Sequence, residues 1–287
     1  MRDSDYPALY RAASELSQNA QQAFYRIFAA HMGLLVLAAA ITVLESHNIA
    51  LAIFQALILL GALGCAIYLS AIRPERQWYG GRAIAESIKT ITWRYLSRSE
   101  PFSLGDNADI DLFRRRLKLI TEQNREIAKQ FSTHLSGLQI TEEMARVRQL
   151  PTQGRISYYR EGRIEDQLHW YSGKAKYNRT KVKVFFGLLI STIVLAIVCS
   201  ISKIGYPTAT IWPTDVFVII AASLLSWIQA KRFQELSASY ALTAHEISFV
   251  REQSRMSMTD EEFSVFVGDA ENAFSREHTQ WIARMDI

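Results

Sequence analysis

The groups that would build a catalytic or metal site are 6 histidines, 2 cysteines and 28 carboxylates, and their spacing does not assemble one. His245-Glu246 lacks the second histidine that a zinc-binding HExxH helix requires. Glu277-His278 reads as a capped or packed pair rather than an acid–base couple. Cys65 and Cys199 form no CxxC pair, which excludes the common structural zinc site. The sequence also lacks GxGxxG, a GxxxxGK followed by Ser or Thr, and GxSxG. A protein that is not an enzyme, with no metal and no cofactor, is expected.

What the chain does carry at regular spacing is aromatic and cationic. Tyr159, Arg163, Gln167, Trp170, Lys174, Asn178 and Lys181 recur every three or four residues, so on a helix beginning near residue 156 they share one face. Trp78, Arg82, Glu86, Lys89 and Trp93 repeat the arrangement. A cation four residues from an aromatic ring can stack on it, for about 0.5–1 kcal/mol when exposed and more when desolvated. Two readings of these stripes are open: packing of helix on helix, or a surface that senses a ligand or partner.

The elements that must position the stripes include four long apolar runs, near residues 24–44, 49–72, 184–201 and 211–229. A hydrocarbon core of roughly 30 Å needs about 20 helical residues. Soluble amphipathic helices show a polar stripe, and MGLLVLAAAITVL and IALAIFQALILLGALGCAIYL have none. The expected fold is therefore an all-α membrane protein: four transmembrane helices in two hairpins, with long cytoplasmic helices forming a bundle. Nothing between Glu165 and Cys199 stops a helix, so the Tyr159–Lys181 stripe should run directly into the third membrane span.

Cationic flanks stay in the cytoplasm. Arg11, Arg26, Arg73, Arg76, Arg82, Lys174, Lys176, Arg179, Lys181, Lys183, Lys231 and Arg232 flank one set of helix ends, whereas the hairpin loops at 45–48 and 202–210 hold only Lys203. Both termini and the long middle are placed in the cytoplasm of a multi-pass protein of the cytoplasmic (inner) membrane. The net charge of +4 fits an anionic lipid surface, and no nucleic-acid motif is present. The polar first 23 residues are unlike a secretory signal, so the first apolar run reads as an anchor.

The Pro and Gly of LPTQG at 150–154 mark a break, dividing the chain into modules 1–150 (hairpin about 24–72) and 151–287 (hairpin about 184–229). Between the connectors, Phe113, Leu117, Ile120, Asn124, Ile127 and Phe131 form a heptad-like seam on a helix over 108–135. Thr259 and Glu262 should open a C-terminal helix with a capping box, and Phe263, Phe266, Val267, Ala270, Phe274 and Trp281 share its apolar face.

Ionisable groups in or near the bilayer are functional candidates. Asp215, at the outer end of the fourth helix, and Glu45, in the other outer loop, would form an acidic pore mouth if several chains ringed a channel; the alternative is a solvated interfacial Asp. His31 either titrates in a water-filled interior or hydrogen-bonds a neighbouring helix. Ala52, Ala56, Gly61, Gly64 and Cys65, and likewise Ala222, Ser226 and Ala230, would allow close helix contact.

Tyr159, Arg163, Gln167, Trp170-Tyr171, Lys174-Ala175 and Asn178, leading into a two-helix hairpin, together with the terminal SREHTQW, resemble the SLATT family of prokaryotic two-transmembrane modules. The resemblance covers about residues 155–285. The first half looks like a divergent variant, through Trp78, Arg82-Ala83, Glu86-Ser87, Lys89 and Trp93 to Tyr95. The resemblance implies a pore-forming or membrane-perturbing effector of defence and conflict systems that use nucleotide second messengers. Four helices leave little aqueous room within one chain, so a pore would need several copies: a homo-oligomer in the lipid bilayer is expected, with a cytoplasmic nucleotide signal or sensor protein as a further partner. A non-conducting scaffold that tethers a cytoplasmic partner is the alternative.

Overall fold

The structure, a computed structural model, describes residues 1–44, 48–103, 105–206, 208–209, 211–254 and 256–283, with side chains as far as Ser275. The described residues are mainly helical and contain no strand. In chain order the helices are α1 (Ala8–Thr42), α2 (Ile49–Ile72), α3 (Pro74–Leu96), α4 (Asp106–Gln123), α5 (Arg125–Ala128), α6 (Glu142–Arg148), α7 (Thr152–Tyr159), α8 (Asp166–Gly205), α9 (Thr214–Lys231), α10 (Phe233–Gln253) and α11 (Asp260–Ala283). A π-helical turn, Arg160–Glu165, joins α7 to α8, so the helical path runs from Thr152 to Gly205.

Four helical stretches are long and apolar enough to cross a bilayer; they contain the apolar runs at 49–72 and 184–201 whole and most of those at 24–44 and 211–229. Local chemistry sets their ends. Asn48 caps α2 by accepting the Ala50 N–H at 2.9 Å. Where α2 gives way to α3, Arg73 adopts a left-handed conformation (φ 49°), with its N–H bonded to Leu69 O at 3.2 Å. Arg232 does the same between α9 and α10 (φ 49°), bonding Ile228 O at 3.0 Å. A left-handed non-glycine residue costs roughly 1–2 kcal/mol, so both hairpins spend conformational energy at the same place, on an arginine.

The chain forms two compact units, and each draws on both halves of the sequence. One comprises residues 22–74 and 174–238. In it α1 meets α2 through His31 Nδ1 and the Ala62 carbonyl at 2.9 Å, and through Gln55 Nε2, which donates to Ala38 O at 3.2 Å. Of the two readings of His31, the geometry shows the hydrogen bond to a neighbouring helix. Trp227 of α9 lies against Tyr25 and Phe28 of α1, at 5.8 and 6.1 Å between ring centroids. Lys231 Nζ sits 3.1 Å from the Tyr25 centroid. Phe233 stacks on Phe185 of α8 at 5.3 Å. The buried positions of α2 are Ile58 and Ala62, and a Cβ at Gly64 would meet nothing within 4 Å. Of the small residues expected to allow close contact, Gly61 faces α1, where a Cβ would meet Leu34 at 3.5 Å, and Gly64 does not.

The other unit comprises residues 1–21, 75–173 and 239–287. Trp93, Tyr95, Tyr159, Phe102, Phe113, Phe263, Ile84, Ile88 and Met144 are fully buried there. The expected helix over 108–135 is shorter than its seam suggested. It stops at Asn124 (φ −116°, ψ 35°), whose Nδ2 donates to Ile120 O at 2.9 Å, and α5 adds only one further turn. An Asn side chain that bonds the local backbone competes with helix continuation, so the lone polar residue of the seam ends the helix. The capping box of α11 is present: Thr259 N donates to Glu262 Oε2 at 2.8 Å, and Glu262 N to Thr259 Oγ1 at 3.2 Å.

Candidate functional site

The two aromatic–cation stripes lie face to face in the second of these units. Trp93 of α3 meets Tyr159 of α7 edge-on, with 5.7 Å between centroids. The Arg82 guanidinium lies 5.8 Å from the Trp170 ring on α8. The stripes therefore run antiparallel and in register, and α11 closes over them.

The centre of this arrangement is Arg163, in the π-helical turn. Its Nε and Nη2 donate to the two oxygens of Glu271 on α11 at 2.9 and 2.8 Å, and Tyr159 OH donates to Glu271 Oε1 at 2.9 Å. Arg163 is 1% exposed and Glu271 is 0% exposed. The remaining Arg163 nitrogen, Nη1, is buried without a hydrogen-bond partner among the described residues. The Phe274 ring lies 4.9 Å from Arg163 Cζ. Burial alone would lower the arginine's affinity for its proton, but the facing carboxylate outweighs it and holds the guanidinium charged. Burial also raises the Tyr159 phenol well above its ordinary range, so it stays a donor.

A π-turn inserts one residue into the helical repeat and commonly marks a functional or strained position. Here it carries Gly162 against the Trp93 indole: a Cβ at Gly162 would lie 2.9 Å from Trp93 Cη2. The opposite side of Trp93 is fixed by its Nε1, which donates to Tyr6 OH at 2.9 Å.

The remaining stripe residues are placed as follows. Gln167 is buried, with Nε2 donating to Asp166 at 3.3 Å. Trp170 packs on Tyr240 of α10 at 5.3 Å as well as under Arg82. Trp78 is buried and stacks on Tyr79, and its carbonyl accepts from Ser17 Oγ at 2.9 Å. Glu86 and Lys89 are half-buried, and desolvation pushes the Lys89 ammonium below its ordinary range. Lys174 and Asn178 fall in the other compact unit. Lys174 is exposed beside Tyr177 of its own helix, whereas Asn178 is buried and donates to the Lys174 carbonyl at 2.8 Å. Lys181 lies beside the same Tyr177 ring, at 5.3 Å. Asp215 is exposed in the first turn of α9. Glu45 and the side chains of Glu277, His278 and Trp281 lie outside the described residues.

Glu271 was absent from the sequence-level site, although its position carries a signal. It stands four residues after Val267 and three before Phe274, inside the apolar face of α11. A carboxylate there must find a buried cation, and the stripe supplies one. Two further buried arginines likewise escaped notice. Arg148 bonds Asp109, Asp106 and the Tyr95 carbonyl, and Arg155 bonds Asp260 and the Ser97 carbonyl.

A family model described as SMODS and SLOG-associating 2TM effector domain 3 matches residues 7–156, and one described as SMODS and SLOG-associating 2TM effector domain 1 matches residues 159–281. The chain belongs to the SLATT family. No curated protein and no solved structure matches it. Two SLATT domains in tandem and four candidate membrane spans make it a multi-pass, membrane-associated effector protein. In these SLATT terms, the Arg163–Glu271 pair lies within the second match, and the Trp93–Tyr159 and Arg82–Trp170 contacts join the first match to the second.

Proposed function

We propose that this protein is a non-enzymatic, homo-oligomeric effector of the cytoplasmic membrane that forms a pore or otherwise breaches the bilayer in a prokaryotic conflict system. Its cytoplasmic helices receive the signal, directly from a nucleotide or through a sensor protein. The observation that carries the reading is that α8 holds the later part of the stripe, Gln167 to Lys181, and the third apolar run in one unbroken helix, Asp166–Gly205. A shift in how the stripe is held has a covalent, helical route to the membrane segment. Four helices in one chain enclose little aqueous space, so the pore requires several copies. The Lys and Arg flanks orient both termini to the cytoplasm.

The test is current across a planar bilayer containing the purified full-length protein, before and after addition of cyclic nucleotides, against an empty bilayer. Discrete steps support the effector. Persistent silence from a folded oligomer rejects it in favour of a scaffold that tethers a cytoplasmic partner.

A further inference from the structure

The membrane unit contains a cleft of about 440 Å³ between α1, α2 and α9. Small residues open it: Ala38 and Ala39 on α1, and Ala222, Ser223 and Ser226 on α9. Apart from Thr42, Gln55, the two serines and Asp215, its walls are aliphatic or thioether, and no aromatic ring lines it. The amide of Gln55 and the hydroxyl of Thr42 are already spent on the Ala38 and Ala39 carbonyls. At one end stands Asp215, exposed and, among the described residues, without an ion-pair or hydrogen-bond partner. From Asp215 to Ser226 the helix rises about 16 Å at 1.5 Å per residue. That is about one leaflet, half of a hydrocarbon core of roughly 30 Å.

We infer that this cleft binds one phospholipid with a primary-ammonium (ethanolamine) headgroup, its acyl chain lying along α9 and its ammonium on the Asp215 carboxylate. The headgroup follows from the charges and donors. An ammonium with N–H groups makes a charge-assisted hydrogen bond to a carboxylate. A trimethylammonium has no such donor and is recognised by aromatic faces, which the cleft lacks. A glycerol headgroup carries the same anionic phosphate but no ammonium to offset its repulsion by Asp215. The apolar walls and the one-leaflet depth suit an acyl chain. This site is independent of whether the protein conducts.

The experiment places the full-length protein in vesicles of equal parts phosphatidylethanolamine and phosphatidylglycerol, then counts the lipids retained per chain by native mass spectrometry after mild detergent extraction. Wild type is expected to retain one phosphatidylethanolamine in several-fold preference to phosphatidylglycerol. Asp215→Asn should bring that preference close to one, and Ala222→Phe, which fills the cleft, should abolish retention of either lipid. Equal retention of both lipids by wild type overturns the proposal, as does unaltered retention by both variants. Loss of oligomers in Ala222→Phe with lipid retention unchanged would assign the cleft to a second copy of the chain and also overturn it. Asp215→Asn removes one charge at an exposed position, so it reads out headgroup preference even if the bulkier variant fails to fold.

Discussion

Arg163 and Glu271 meet as a two-pronged fork, 2.9 Å from Nε to Oε1 and 2.8 Å from Nη2 to Oε2, with both side chains sealed from solvent. Removing one partner of such a pair leaves a buried charge uncompensated and costs about 3–5 kcal/mol, whereas replacing both with apolar residues of similar volume is often far milder. Glu271→Ala should therefore lower the melting temperature of the full chain in detergent sharply, and Arg163→Met with Glu271→Leu should recover most of the loss. If the double variant melts as low as the single, the pair is not the centre of this unit. The pair should also hold as pH is raised. Glu271 raises the proton affinity of Arg163 in the fold, so its contribution is present below the ordinary arginine range and is lost only above it.

Gly162 is required by shape. A Cβ there would stand 2.9 Å from the Trp93 ring, a rigid group that cannot swing away because Tyr6 and Tyr159 hold it. Gly162→Ala should destabilise by about 1–3 kcal/mol through overpacking, despite replacing a helical glycine with a better helix former. Gly162→Ala combined with Trp93→Phe should melt higher than Gly162→Ala alone if the clash is with the indole. No recovery would place the strain in the π-turn backbone.

Acid should loosen the start of α11. The Asp260 carboxyl is held below its ordinary range by the Thr152 hydroxyl, with Arg155 adding to the effect. A depressed carboxylate contributes stability that is fully present above its unfolded value of about 3.9 and is lost as pH falls through the folded value. The protection factors of the first turns of α11, exchange relative to the intrinsic rate at each pH, should fall below about pH 4 in wild type. Asp260→Asn should be less protected at neutral pH and lose less protection in acid. Parallel pH profiles for the two proteins would contradict this assignment.

The membrane helices were legible because their signal is composition summed over twenty residues, which tertiary contacts do not overturn. The capping box of α11 was legible because its two bonds join residues three apart. Asn124 misled, since a polar residue in a heptad seam fits either a register pin or a helix stop, and only the packing decides. The stripes of α3 and α7–α8 were visible one at a time, but their mutual register depends on contacts between residues far apart in the chain, Trp93 with Tyr159 and Arg82 with Trp170. Glu271 was hidden for a related reason: a charged residue in an apolar face makes sense only when its partner is known.

The Arg82–Trp170 contact separates packing from signalling. Both residues are half-buried, and stacking a guanidinium on an indole contributes about 0.5–1 kcal/mol, or more when desolvated. Arg82→Ala and Trp170→Ala should each lower the melting temperature, and the double variant should lose less than their sum by about that amount. Strict additivity would mean that the stack carries no energy. Lys174, at the exposed end of the same stripe, offers the contrast. Lys174→Ala should change stability by less than about 0.5 kcal/mol, as surface substitutions usually do. Bilayer current lost at Lys174 without loss of melting temperature would assign signal reception to the exposed end of the stripe. Current that falls only in step with melting across all three positions would reduce the stripes to structural packing.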